Sequence, residues 1–209
     1  MSCLALPPLY AIVDPLDTGR TAEDLAADLL AGGARLLQLR LKDASSRELL
    51  AAARAVRALT TRAGALLLVN DRPDVARAAC ADGVHLGQDD LPVAAARAVL
   101  GPGTLVGVST HDVEQARAAA ADGADYVGVG PVYATTTKRG ALPPRGLELV
   151  RAVRAAVSLP LVAIGGITPE TAATVREAGA DAVAMIGALV RAADVAAAVR
   201  AAIARLGGT

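Results

Sequence analysis

Residues 122–130 read "DGADYVGVG", a glycine followed by a short run of small apolar residues, and the same design recurs three times. It returns as "AGGARLLQL" at 31–39, "ADGVHLGQ" at 81–88 and "AGADAVAMIG" at 178–187. In each, a glycine stands where a helix would end, because glycine tolerates the left-handed backbone of a helix C-terminus. The apolar run behind it suits a strand buried on both faces. Between such runs lie patterns like "SSRELLAAARAVRALTTRAG" (45–64) and "PETAATVREAG" (169–179), with apolar residues at spacings of three and four, as amphipathic helices require.

Extended along the chain, this pattern predicts strands near 9–14, 35–41, 65–70, 84–88, 104–109, 125–130, 160–164 and 181–186. Helices follow near 21–31, 45–62, 73–81, 91–99, 112–121, 146–156, 169–178 and 189–206. Eight βα units in this length match a (β/α)₈ TIM barrel, whereas an open doubly wound sheet usually stops at five or six strands. No linker or low-complexity segment interrupts the pattern, so a single domain is expected over 1–209. The longest irregular piece, 134–145, is rich in Thr, Gly and Pro, the character of a functional lid.

Composition narrows the function. The chain is 54% hydrophobic, with three tyrosines and neither Phe nor Trp. Acidic and basic residues balance at 21 each, which argues against nucleic acid or an anionic membrane surface as partner. No apolar run reaches bilayer length, and "MSCLALPPLYAIVD" lacks the basic segment of a signal peptide. Cys3 and Cys80 show no metal or redox spacing, so two unpaired thiols in a reducing compartment, the cytoplasm, are expected. The sequence leaves room for a homo-oligomer.

In such a barrel, chemistry belongs at the C-terminal strand ends. Gln38, Arg40 and Lys42 share one face of the second strand by period-two alternation; a solvated strand end is the plainer alternative. Lys42 and Lys138 are the only lysines among 21 basic residues, and both fall at strand ends on the same rim. A compact ammonium on a flexible stem is not interchangeable with a guanidinium fork, so Lys138→Arg is expected to impair catalysis. Asn70, the only asparagine, precedes Asp71 and suits a turn or cap equally well. Asp71 and Asp90 end adjacent strands about 4.8 Å apart, close enough to share a Mg²⁺ with water and phosphate. "AIGGITPETA" (163–172) places a diglycine before Thr168 as N-cap and Pro169 at the first helical position. With the "MIGA" turn at 185–188, it reads as a phosphate cradle or as a tight turn. Two anion sites on one rim suggest a phosphorylated molecule joined to a second one carrying a diphosphate.

Together, "QLRLKD", "VNDRPDVARAACADGVHLGQDD", "GVSTHDVEQARAAAADGADYVGVGPVYATTTK" and "AIGGITPETA…AGADAVAMIGAL" resemble the thiamine-phosphate synthase family over nearly the full chain. The resemblance implies a (β/α)₈ enzyme coupling hydroxymethylpyrimidine diphosphate to a (carboxy)thiazole phosphate. It implies that Gln38, Arg40, Leu41, Lys42, Asn70 and Lys138 bind the pyrimidine diphosphate, with Asp71 and Asp90 as Mg²⁺ ligands. Ser109 would contact the pyrimidine and leaving diphosphate. Thr135, Thr136 and Thr137 would meet the thiazole phosphate, cradled by Gly166, Ile186 and Gly187. Arg40, Lys42, Ser109 and Lys138 carry the catalytic expectation, in a dissociative mechanism that needs charge stabilisation rather than acid–base groups. Ala134, Leu41 and Gly187 depart from the family's frequent Pro, Glu and Ser, and the Leu41 side chain should point out of the barrel. A related thiazole tautomerase, which uses a His near the end of strand five where His111 stands, would not need Lys42, Asp71, Asp90 and Lys138. A non-catalytic barrel sensing phosphometabolites would need neither the metal pair nor both anion sites.

Overall fold

The computed structural model describes residues 4–135, 137 and 142–207. Eight parallel strands close into a barrel in sequence order. They are β1 (Leu9–Val13), β2 (Leu36–Leu39), β3 (Leu66–Asn70), β4 (Gly83–Leu86), β5 (Leu105–Thr110), β6 (Tyr126–Val129), β7 (Leu161–Ile164) and β8 (Ala182–Met185). The helices are α1 (Ala22–Ala31), α2 (Ser46–Ala63), α3 (Pro73–Ala78), α4 (Val93–Leu100), α5 (Val113–Ala121), α6 (Gly146–Ala156), α7 (Pro169–Glu177), α8 (Gly187–Val190) and α9 (Val195–Arg205). β1 pairs with β8 through Ala11 and Met185, so the sheet has no edge. Among the described residues, no helix is long and apolar enough to cross a membrane.

The single helix expected over 189–206 is two. Asp194 accepts a hydrogen bond from the Ala197 N–H (2.8 Å) and starts α9 as its cap, while α8 buries Leu189 and Val190. The glycine signature also needs one correction. Gly33, Gly123 and Gly179 do carry positive φ where α1, α5 and α7 end. After α3, however, Cys80 takes that conformation (φ 52°). Gly83 instead lies inside β4, where a Cβ would come 2.1 Å from the Leu105 carbonyl oxygen.

The repeat has a structural cause at the strands' N-terminal rim. Asp82, just before β4, accepts from the Leu67 N–H of β3 (2.7 Å) and from Arg57 of α2 (2.5 Å). Asp125, before β6, does the same with Val106 (2.7 Å) and Arg97 (2.8 Å). Asp181, before β8, takes Leu161 (2.8 Å) and Arg154 (2.9 Å). Each aspartate thus fastens two strands and a helix. The first segment has Arg35 at the equivalent place, its guanidinium turned to the Ala34 carbonyl (2.9 Å).

Two apolar cores result. The larger lies between strands and helices and holds Leu37, Leu67, Val84, Val106 and Val127. The smaller fills the barrel with Tyr10, Ile12, Leu36, Leu68, Tyr126, Val162, Ala182 and Ala184. With no Phe or Trp available, Tyr10 and Tyr126 provide the bulk, edge to face at 6.1 Å and 71°. Gly107 makes room for them, since a Cβ there would sit 2.0 Å from the Tyr126 ring.

Candidate active site

Gln38, Arg40 and Lys42 line a cavity of about 510 Å³ at the C-terminal mouth, together with Asn70, Asp71 and Asp90. The alternation along β2 therefore does turn this face inward. Leu41, the intervening residue, packs against the outer core. Gln38 is buried, Arg40 is ion-paired to Asp14, and Lys42 is ion-paired to Asp71. Asp71 holds a left-handed backbone (φ 62°), a conformation rare outside glycine and tolerated by Asp.

The two aspartates are within hydrogen-bonding reach of each other and are driven apart in acidity. Burial raises the Asp71 carboxyl, but the Lys42 ammonium and the adjoining Asp90 outweigh it and hold Asp71 below the usual range. Burial and the adjoining Asp71 push Asp90 up, while the Gly87 N–H (2.6 Å) pulls back. Two carboxylates this close both ionise only beside a cation. Among the described residues, no three His, Cys, Asp or Glu side chains gather as a metal cage. A pair of carboxylates open to a cavity nonetheless fits Mg²⁺, which uses one or two carboxylates and takes its other oxygens from water and phosphate.

A second cavity of about 520 Å³ opens beside the first. Gly165 and Gly166, with φ of 105° and 62°, turn the chain from β7 into α7. There a Cβ on Gly166 would come 2.4 Å from the Ala134 carbonyl, so the diglycine is required by both conformation and space. Thr168 and Pro169 open α7 as expected, with the Thr171 hydroxyl accepting the Thr168 N–H (3.0 Å). Ile186, Gly187, Thr135 and Thr137 also line this cavity. Ser109, His111 and Thr137 belong to both cavities. Thr136 and Lys138 lie outside the described residues.

This arrangement of two joined cavities can be set beside known proteins. A family model for thiamine monophosphate synthase matches residues 9–189. The chain belongs to the thiamine monophosphate synthase family. It is 52% identical over 193 residues to the thiamine-phosphate synthase of Moorella thermoacetica, covering 92% of each chain. It is 55% identical to that of Methanoculleus marisnigri, also with 92% of each covered. The thiamine phosphate pyrophosphorylase structure from Pyrococcus furiosus superposes with a TM-score of 0.88 at 36% identity, over 96% of both chains. A 3-hexulose-6-phosphate synthase structure, at 22% identity and a TM-score of 0.72 over 95% of this chain and 99% of that one, shares the barrel alone.

Within this thiamine monophosphate synthase barrel, five site residues escaped the sequence reading. Asp14 orients Arg40. Arg191 reaches over the second cavity. Tyr10, His85 and Tyr126 form a polar chain inside the barrel. His85 had an available signal, since alternation along β4 turns it to the same side as Gly83 and Gly87.

Proposed function

We propose that the protein makes thiamine phosphate by joining hydroxymethylpyrimidine diphosphate to a thiazole phosphate, releasing diphosphate, with CO₂ also released when the thiazole is carboxylated. The observation that carries this reading is the pair of cavities meeting at Ser109, His111 and Thr137. One is walled by cations and paired carboxylates, the other by a diglycine cradle at a helix N-terminus.

In this reading the diphosphate lies along Arg40 and Lys42, with Gln38, Asn70 and Ser109 around the pyrimidine. Asp71 and Asp90 would hold Mg²⁺, which when bound neutralises charge on phosphate oxygens. Lys42 would exchange its Asp71 contact for the leaving group. The carbon–oxygen bond breaks first, and the resulting pyrimidine-methyl cation is stabilised by its own amino group. The thiazole nitrogen then attacks, held in line by its phosphate on Gly166, Ile186 and Gly187, with Thr135, Thr136 and Thr137 alongside. Positioning and charge stabilisation supply the rate. Lys138 would meet the departing diphosphate, as the family resemblance implies, and Lys138→Arg is expected to slow turnover at conserved charge. An exposed free thiol, Cys80, supports a reducing compartment such as the cytoplasm.

The test is direct. Purified protein with both substrates and Mg²⁺ should yield thiamine phosphate, and EDTA should abolish it. Asp90→Ala should remove turnover while circular dichroism stays unchanged. No product with either the carboxylated or the plain thiazole would sink the proposal.

A further inference from the structure

Five side chains form one continuous hydrogen-bonded chain across the inside of the barrel. Gln38 Nε2 donates to the Tyr10 hydroxyl (2.9 Å), which meets the Tyr126 hydroxyl at 3.0 Å. Tyr126 meets His85 Nδ1 at 2.8 Å, and His85 Nε2 meets Ser109 Oγ at 2.8 Å. The two ends, Gln38 and Ser109, line the cationic cavity, and Ser109 also borders the second one. The three middle residues are not needed to fill space alone. Gly107 and Gly128 clear room for them, since Cβ atoms there would lie 2.0 Å from the Tyr126 ring and 3.0 Å from His85 Cε1.

The chain has a direction. An amide nitrogen only donates, so the Tyr10 oxygen accepts from Gln38 and gives its own hydrogen to Tyr126. Tyr126 is fully buried, and a group so placed does not leave its hydrogen without an acceptor. It therefore donates to His85 Nδ1. A neutral imidazole accepting at Nδ1 carries its proton on Nε2, and that proton goes to Ser109 Oγ. With His85 occupying Ser109 as a donor, the serine's own hydrogen is turned toward the cavities. Burial keeps both phenols protonated, Tyr10 pushed up to about 12 and Tyr126 well above its ordinary value.

We propose that Tyr10, Tyr126 and His85 are positioning residues that fix the Ser109 hydroxyl as a hydrogen-bond donor to the leaving diphosphate, coupling that donor to the amide of Gln38. This rests on the proposed thiamine phosphate synthesis. A reversed chain, starting from a Gln38 carbonyl turned to Tyr10, would make Ser109 donate to His85 and deprive the leaving group of a donor.

Two measurements test it. Nitrogen NMR of the substrate-free wild-type protein, above the ordinary histidine pKa range, should show His85 protonated on Nε2. His111 is an internal contrast, because it donates from Nδ1 to the Gly130 carbonyl (2.6 Å). A His85 proton on Nδ1 overturns the proposal whether or not the enzyme makes thiamine phosphate, which separates it from failure of the functional reading. In kinetics, Tyr126→Phe should lower kcat about tenfold, short of the ~10²–10³ lost with a whole oxyanion donor, while the KM for thiazole phosphate stays put. Ser109→Ala combined with Tyr126→Phe should be no slower than Ser109→Ala alone, because Tyr126 acts through the serine. Losses that multiply would mean a packing role only and would overturn the proposal.

Discussion

Arg191 places its guanidinium 3.1 Å from where a Cβ on Gly187 would stand, at the wall of the second cavity. It is held there by Asp17, at 3.0 and 3.2 Å, and the hydrogen bond from Arg191 in turn keeps the Asp17 carboxyl below its usual range. A side chain at 187 would press on this guanidinium, so Gly187 leaves Arg191 its place at the cavity wall. Arg191→Ala should raise the KM for thiazole phosphate about 10- to 100-fold, the scale of one charge-assisted hydrogen bond. The KM for the pyrimidine diphosphate should not move. Initial-rate kinetics with each substrate varied in turn would decide it, and two unchanged KM values would reduce Arg191 to a partner of Asp17. The sequence made Lys42, Lys138 and Asn70 legible through their rarity. It hid Arg191 among many arginines and past a helix boundary, because nothing local announces a side chain that reaches back over the preceding turn.

The elements were legible for a local reason and their fastening was not. Helix periodicity, apolar runs and glycine stops are written within a few residues, so eight strands could be placed to within a residue or two. The role of Asp125 is written across 19 residues, to the Val106 N–H, and 28 residues, to Arg97. The sequence therefore showed the repeat but not the aspartate's purpose. Asp125→Ala would leave a buried strand N–H without its acceptor, while Arg97 keeps the Gly123 carbonyl at 2.6 Å. We expect a loss of about 1–3 kcal/mol, read by urea denaturation. The kcat and KM should stay near wild type, since this rim serves stability and chemistry sits at the other end of the strands. A large kcat effect would show that the two rims are mechanically coupled. The break between α8 and α9 has the same lesson in reverse. Asp194 caps α9, but the apolar spacing over 189–206 reads as one helix and does not mark the break.

For the molecule as a whole, the barrel interior sets a limit at high pH. Two of the three tyrosines lie fully buried in it, bonded to each other. In the unfolded chain a phenol ionises near pH 10, whereas burial, only partly offset by the hydrogen bonds that Tyr10 makes with Tyr126 and Gln38, pushes Tyr10 up to about 12. Below the unfolded value both states hold the proton and the stability is fully present. Above it the unfolded chain binds fewer protons, so stability falls as pH rises toward the folded value. Tyr10 alone accounts for about 3 kcal/mol across that window, and Tyr126, raised well above its ordinary value, acts in the same direction. Urea denaturation repeated from about pH 8 to about pH 11.5 should show stability falling steeply above about pH 10. Tyr10→Phe should flatten the fall, whatever it does to stability at neutral pH, because it removes one of the protons that distinguish the two states. Parallel slopes for wild type and Tyr10→Phe would mean that the phenol ionises freely in the fold. The barrel floor would then be open to water, and it could not hold the fixed proton order on which the Ser109 donor depends.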